Sequence, residues 1–316
     1  IKMKPKECFV SVLLNKKKNI TEEINNMFKT EAYKEAFGHM LTNKMTDKDY
    51  SILNLAKEPY PAMPQMDSKL DDTLAKYNPF RSVASIFNAE GESTVVVTTS
   101  NGTAALVAEN SALPESSDES KEMRFNAYKI GSLAKLKLAF INDRHFDVED
   151  YLSTKFAKRF GIAEENLIVN GTGNDEPLGI MNSDIAKATA PALTYDEVVK
   201  LFFSLHKDLR VNATWMVSDK MAMKLRLVKD SNGNPLFNGD SVFNKEVIIV
   251  NSLDENTILF GDFSYLYILI RKPLSIKVLT EKYIATGDYG YAGVERLDAK
   301  ITDLNAIKAL VIHTEE

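Results

Sequence analysis

The feature that most constrains this chain is a long amphipathic stretch that begins at Asp147 and ends abruptly in a turn rich in glycine and proline. Apolar residues recur there at helical spacing, which predicts one long helix with a packing stripe: Val148, Leu152, Phe156, Phe160 and Ala163. The helical pattern stops after Leu167-Ile168-Val169, and residues 170–179 then contain three glycines and a proline. Because glycine and proline favour turns, we expect the chain to leave the helix at this point.

A second constraint is the change to a strand-like pattern between residues 91 and 130. Residues 93–99 are rich in β-branched side chains and end at the turn signal Ser100-Asn101-Gly102, and residues 123–137 alternate again. Between them lies a polar segment, Glu115-Ser116-Ser117-Asp118-Glu119-Ser120, which cannot pack against a core of its own. Composition leaves two readings open: a surface loop, or a long hairpin whose tip orders against another subunit.

The rest of the chain predicts an α+β protein, with helices and strands only partly interleaved. Residues 1–60 are polar and mostly helical in pattern, and the prolines at 59, 61 and 64 predict an extended linker. Further helices are predicted at 66–77, at 195–209 after a cap at Thr194, and at 218–229. Strands are predicted at 213–217, 245–250, 257–260, 265–271, 274–280 and 291–301.

Composition excludes several classes of protein. The net charge of −5 argues against a chain that grips nucleic acid through phosphate contacts, because such proteins are usually basic. The single cysteine, Cys8, rules out an internal disulfide. No run of about 18 apolar residues occurs, so no transmembrane helix is expected.

The glycine-containing turn is the first candidate for chemistry, as a nucleotide site. A dinucleotide fingerprint needs a third glycine three positions after Gly173, but Glu176 stands there and Pro177 follows. A carboxylate would repel a phosphate at that position. We therefore interpret this turn as structural and expect no bound cofactor.

Metal binding and catalysis have no stronger support in the sequence. The histidines lie far apart, and Cys8 has no partner for a zinc site: His39, His145, His206 and His313. Asp143, His145 and Asp147 could touch one ion, but alternate residues at a helix start more often form a solvated cap. No Gly-x-Ser-x-Gly element occurs. We expect no metal site, no catalytic residues and no enzymatic activity.

The order of these features resembles the major capsid proteins of tailed bacteriophages, which have the Hong Kong 97 fold. Four stretches of this chain carry the resemblance, which extends over residues 62–312. They are Met63-Pro64-Gln65 with the helix that follows; the hairpin 91–130 with Ala108-Glu109; the helix from Asp147 with Asn170-Gly171-Thr172-Gly173 and Pro177-Leu178-Gly179-Ile180; and Leu259-Phe260-Gly261-Asp262-Phe263 with Glu295-Arg296 and Ala306-Ile307.

The resemblance implies a division into domains. Residues 1–65 would be an N-terminal helical region and arm, 66–90 a helix and strand, and 91–130 the extended loop, lying over a neighbouring subunit. A peripheral domain with the spine helix would comprise 131–190 and 263–300. An axial domain would comprise 191–262, closed by a strand in 301–316, and would meet its copies at fivefold and sixfold positions.

The resemblance also implies partners and a location. The chain would form pentamers and hexamers of an icosahedral shell that encloses double-stranded DNA without sequence-specific binding and without a membrane. It would assemble in the host cytoplasm into a virion, with portal, scaffolding and maturation protease proteins as further partners.

The sequence departs from the family pattern at two points. Some members begin with a coiled-coil scaffolding segment, whereas residues 1–60 contain no sustained heptads. Other members cross-link subunits through a lysine of the extended loop and an asparagine of the peripheral domain. Lys121 is the lysine closest to the tip of the loop, and residues 281–293 contain no asparagine. We therefore predict a shell held together without covalent cross-links.

Three alternatives stay open on the sequence. An encapsulin, a cellular compartment with the same fold that encloses protein cargo, usually lacks so long an N-terminal region. An enzyme would need a pocket with convergent titratable groups, for which the sequence has no pattern. An adhesin or tail-type structural protein would form fibres or rings instead of closed shells.

Overall fold

The computed structural model describes residues 35–36, 39, 46–52, 68–89, 93–100, 119–137, 148–229, 232–238, 240–279, 281–283 and 286–313. Several predictions fall outside these residues. They concern most of the N-terminal region with Cys8, the tip of the hairpin from 101 to 118, and the possible ion ligands Asp143, His145 and Asp147.

The described helices are α1 (Asp47–Ile52), α2 (Ser68–Tyr77), α3 (Phe80–Val83), α4 (Val148–Asn170), α5 (Tyr195–Ser204) and α6 (Asp219–Leu227). All except the short helix α3 agree in type with the sequence pattern. The predicted stripe of α4 is buried except at Ala163, which is partly exposed, and Leu152, Phe156 and Phe160 are almost fully shielded from solvent. Ser218 and Thr194 are N-caps, because their side chains accept the backbone N–H of the third residue beyond them.

One helix is shorter than predicted. The pattern indicated a helix over 195–209, but α5 ends at Ser204. Leu205 adopts an extended backbone conformation and buries its side chain in the core, so it leaves the helix to reach apolar contacts. A short 3₁₀ turn, Leu209–Val211, then leads to the next strand.

Thirteen strands lie within the described residues: β1 (Ser85–Asn88), β2 (Ser93–Ser100), β3 (Glu119–Phe125), β4 (Tyr128–Lys137), β5 (Ala186–Ala190), β6 (Thr214–Val217), β7 (Phe237–Asn238), β8 (Ser241–Val242), β9 (Lys245–Ile249), β10 (Thr257–Gly261), β11 (Leu266–Leu279), β12 (Asp288–Ile301) and β13 (Ile307–Ile312). They form a seven-stranded sheet in the order β5-β13-β10-β6-β9-β8-β7, a four-stranded sheet in the order β1-β11-β12-β4, and a two-stranded ribbon of β2 and β3.

The strand predictions need two corrections. The predicted strands 265–271 and 274–280 are one continuous strand, β11, that passes through Pro273. β1 pairs only with Tyr267–Ile270, so Pro273 lies beyond the stretch of β11 that β1 flanks, where a missing N–H is tolerated. The continuous pattern over 123–137 is instead two strands, because the chain breaks at Asn126-Ala127.

The described chain divides into two structural units: residues 1–73, 131–158 and 274–294, and residues 74–130, 159–273 and 295–316. In the first unit, Lys135 pairs with Asp288 at 2.7 Å, and Ser275 Oγ donates to the Val294 carbonyl at 3.3 Å. Tyr291 is fully buried in this unit, and burial raises the pKa of its phenol.

The second unit contains the seven-stranded sheet, with a core on each face. Alternation along β6 sends Met216 to one core and Trp215 and Val217 to the other, as a pleated strand requires. Trp215 stacks on Phe260 with ring centroids 4.0 Å apart, and its indole N–H donates to the Val242 carbonyl at 3.0 Å. The loops at the two ends of β6 are therefore held on a rigid support.

Candidate assembly surfaces

The ribbon of β2 and β3 is the first candidate surface. Its antiparallel register runs from Ser93 opposite Phe125 to Thr98 opposite Ser120, with an irregularity between Thr98 and Ser100. Within the residues that the structure describes, the ribbon joins no other strand. Val96 is 63% exposed although it is apolar. A two-stranded ribbon is marginally stable in water, so these exposed faces suit a partner surface.

The base of the ribbon is fixed to β12. The Asn126 N–H donates to Asp298 Oδ2 at 2.8 Å, and Lys300 Nζ donates to the Arg124 carbonyl at 2.5 Å. Asp298 is completely buried, and that burial raises the pKa of its carboxyl against the opposing effect of the Asn126 hydrogen bond. Since Asn126 stands at the break between β3 and β4, this contact sets where the ribbon leaves the sheet.

The turn after α4 is a closed structural unit. Gly171 is packed so tightly that a Cβ there would lie 2.2 Å from the Pro177 carbonyl oxygen. Gly179 is equally confined, and its N–H donates to the Gly171 carbonyl at 2.8 Å. The Asn182 side chain donates to the carbonyls of Asn170 and Gly171 at 2.9 and 3.0 Å. These contacts satisfy carbonyls at the helix end that would otherwise lack partners.

The hydrogen bonds of Glu176 explain why an acidic residue stands in this glycine-rich turn. Its Oε1 accepts hydrogen bonds from the Thr172 N–H and Oγ1, both at 2.8 Å. The two hydrogen bonds lower the pKa of the Glu176 carboxyl. The Glu176 carboxylate therefore already accepts the Thr172 backbone N–H, which is no longer available to bind a phosphate.

A buried ion network joins α3, α4 and β12. Arg81 donates to both oxygens of Glu164 at 2.7 Å and to Glu295 Oε1 at 3.2 Å. The Asn78 amide adds a fourth hydrogen bond, to Glu164 Oε2 at 2.8 Å. The side chains of Arg81, Glu164 and Glu295 are between 0% and 6% exposed.

The sequence pattern did not lead us to predict this ion network, although the position of one acidic residue pointed to it. Glu164 stands four residues after Phe160, on the apolar ridge of α4. A carboxylate on such a ridge has to find a buried cation, because an unpaired buried charge is very costly.

A second tight turn connects β10 to β11. A Cβ on Gly261 would lie 2.3 Å from the Ala306 carbonyl oxygen, to which the Asp262 N–H donates at 2.9 Å. Asp262 Oδ1 accepts from the Ser264 N–H at 3.0 Å. The Phe-Gly-Asp-Phe element thus holds the start of β13 against the end of β10.

The other sequence candidates do not converge. His39 contacts Asp49 at 3.1 Å, and His206 contacts Asp208 at 3.5 Å. His313 pairs through its backbone with Ala190. Lys121 lies on β3 opposite Val97. No group of three metal-ligating side chains occurs among the described residues.

Two surface cavities open on the second unit. One of about 570 Å³ lies between residues 191–195 and residues 224–229, and one of about 350 Å³ lies between β5 and α5. The charged side chains on their walls are Lys224 and Lys229 in the first, and Glu197, Lys200 and Lys308 in the second. No helix in the described ranges is long and apolar enough to cross a membrane.

Comparison with known proteins decides the family. The sequence model of the phage capsid family matches residues 59–312 of the 316. The chain belongs to the phage capsid family. It is a major capsid protein, a structural component of the virion shell, and its assembly into an oligomeric shell follows from that membership.

Solved structures give the same fold. The capsid of an empty GTA particle matches with a TM-score of 0.66 and 23% identity, over 75% of this chain and 90% of that one. A structure from Mycobacterium phage Bobi matches with a TM-score of 0.57 and 13% identity, over 85% and 99%. A virus-like particle from Pyrococcus furiosus matches with a TM-score of 0.54 and 15% identity, over 77% and 96%. No curated protein matches this capsid protein.

These matches confirm the α+β, Hong Kong 97-type fold expected from the sequence. They also give the motifs of the capsid protein a physical role. The glycine turn after α4 and the Phe-Gly-Asp-Phe turn are positions where backbone approaches backbone too closely for a side chain.

Proposed function

We propose that this capsid protein assembles as pentamers and hexamers into a closed icosahedral shell that encloses phage double-stranded DNA, without catalysis and without covalent cross-links. The observation that carries the proposal is the ribbon β2–β3, which is fixed to β12 at its base but joins no further strand in the described part of the chain. Symmetric assembly would supply every ribbon with a neighbouring subunit as its partner surface. Many weak contacts per subunit would then act together.

The proposed domains follow the strand pairing. The seven-stranded sheet would be the core of the axial domain, around residues 191–262 and 301–316. β5, at 186–190, pairs with β13, which supports moving the boundary of that domain to before Ala186. The spine helix α4 and the long strands β11 and β12 would form the peripheral domain.

Enclosure of DNA in this proposal does not depend on direct binding. A chain with a net charge of −5 has little affinity for phosphates in general, so the DNA would be held by confinement. Portal, scaffolding and maturation protease proteins would be the partners that load, template and process such a shell.

Electron microscopy of the expressed full chain tests the proposal. We expect closed icosahedral particles, and we expect particles isolated from phage-producing cells to absorb more strongly at 260 than at 280 nm. Fibres, open rings or monomers would refute shell formation. Closed particles that contain protein cargo instead of DNA would support the encapsulin alternative.

A further inference from the structure

The loop that precedes β6 presents an unusual exposed group. Phe203, at the end of α5, is 65% exposed, and Val211 is 69% exposed. The Arg210 guanidinium carbon lies beside the rings of Phe202 and Phe203, 5.4 and 4.9 Å from their centroids. Lys245 Nζ donates to the Val211 carbonyl at 2.7 Å and fixes the loop. We call Phe203, Arg210 and Val211 the Arg210 knob.

Arg210 lacks the partner that such an arginine normally has. Its Nε is buried without a hydrogen-bond partner, and among the described residues its guanidinium pairs with no carboxylate. A buried donor left unsatisfied destabilises the free subunit. A guanidinium held against aromatic rings is well placed to bind a carboxylate through two hydrogen bonds. Exposed aromatic and arginine side chains are also those that contribute most to protein interfaces.

A carboxylate-rich surface lies at the other end of the same strand. β6 is only four residues long, and Ser218 and Asp219 follow it at the start of α6. Lys220 forms an ion pair with Glu255, which places the turn 251–256 beside that helix start. We call residues 218–220 and 251–256 the acidic end.

The two surfaces differ in charge. The acidic end carries Asp219, Asp254 and Glu255 against Lys220, a balance of −2. The loop 205–211 with Lys245 carries Lys207, Arg210 and Lys245 against Asp208, a balance of +2. Lys224 is half-buried and donates to Asn256 Oδ1 at 2.8 Å. Within the described residues, Asp219 and Asp254 therefore have no basic partner.

We infer that the Arg210 knob of one subunit docks on the acidic end of the next copy of this chain, with Arg210 binding Asp219 and Asp254. This inference rests on the proposed function, since it names the contact that joins subunits around a ring. The two surfaces lie at opposite ends of β6, so the contact is head-to-tail. Repeated head-to-tail contacts close into rings when the rotation between copies closes.

Removal of the charge at Arg210 is the first test, on full-length protein in a sedimentation assay of assembled particles. Arg210→Met keeps an unbranched apolar side chain against the two phenylalanine rings. We expect it to lower the assembled fraction about tenfold or more, because it leaves two carboxylates unpaired at an interface. Arg226→Met, an equal change of charge at a side chain outside both surfaces, should assemble like the wild type.

A charge exchange tests the pairing itself. Arg210→Glu should abolish assembly, and adding Asp219→Arg and Asp254→Arg to the same chain should restore it at least in part. If Arg210→Met lacks the circular dichroism spectrum of the native subunit, the variant Asp219→Asn/Asp254→Asn carries the test. The side-chain amide introduced at position 254 keeps the oxygen that accepts the Asn256 N–H. This variant should lose assembly to a similar extent.

The outcomes separate the two claims. A wild-type protein that forms no particles would refute the proposed function. Particles that form equally well from the wild type and from Arg210→Met or Asp219→Asn/Asp254→Asn would overturn the inference and leave the proposed function intact. Failure of the charge exchange to restore any assembly would overturn the pairing of Arg210 with the acidic end.

Discussion

Replacement of Arg81 by methionine gives the sharpest test of how the second unit is stabilised. The change removes the cation that contacts both Glu164 and Glu295 in the ion network. It leaves two carboxylates, 0% and 1% exposed, close together without their shared partner. Removing one partner of a buried ion pair costs about 3–5 kcal/mol, because the charge that stays behind is not compensated. We expect Arg81→Met to lower the free energy of unfolding by about that amount.

Trp215 makes this effect measurable, because it is the only tryptophan of the chain and lies buried in the same unit. Urea unfolding of unassembled subunits, followed by tryptophan fluorescence, would give the change in free energy. The matched control is Arg226→Met, which breaks an exposed ion pair with Asp240 and should leave the midpoint unchanged within error.

A second variant checks the cause of the loss. Arg81→Met combined with Glu164→Gln removes one of the two carboxylate charges that Arg81 contacted and keeps an oxygen for the Asn78 amide. The double variant should therefore be more stable than Arg81→Met alone. A loss below about 1 kcal/mol for Arg81→Met, or a double variant less stable than the single one, would refute the reasoning.

Three further outcomes are expected. Gly171→Ala should destabilise the subunit strongly and lower its melting temperature, because the new Cβ would meet a carbonyl oxygen at 2.2 Å, whereas Gly131→Ala, with its nearest atom at 3.8 Å, should melt like the wild type. Burial raises the pKa of the Asp298 carboxyl above its ordinary value of 3.8, so between the unfolded and the folded pKa the folded subunit holds a proton that the unfolded chain has lost. The stability of the subunit should therefore fall as the pH rises through this range. Asp298→Asn should remove this part of the pH dependence, measured by urea unfolding at several pH values. Mass analysis of denatured particles should give monomers only, and a ladder of multimers linked through Lys121 would contradict the non-covalent shell.

The hairpin shows where local pattern stops being informative. β-branched residues and a turn signal predicted two strands, and the register of β2 with β3 confirms them. The break at Asn126-Ala127 was not predicted, because it depends on Asp298, which lies 172 residues further along the chain. A hydrogen bond over that separation leaves no periodic trace in either segment.

The sequence by itself determined the elements that local energetics control. The 3.6-residue stripe of α4, the cap at Thr194 and the turn after Asn170 follow from the preferences of neighbouring residues, and the structure contains all of them. Even the family could be recognised from the order of these elements.

Only the tertiary structure decided which distant residues meet. It joined the strands predicted on either side of Pro273, brought β5 beside β13, and gathered Arg81, Glu164 and Glu295 into one buried ion network. The physical reason is that pairing of strands and burial of charge depend on segments separated by more than eighty residues. The motif glycines are explained partly by the sequence and partly by the structure. The sequence predicts turns at these positions, and the closely packed backbone around Gly171 and Gly179 shows why no side chain fits there.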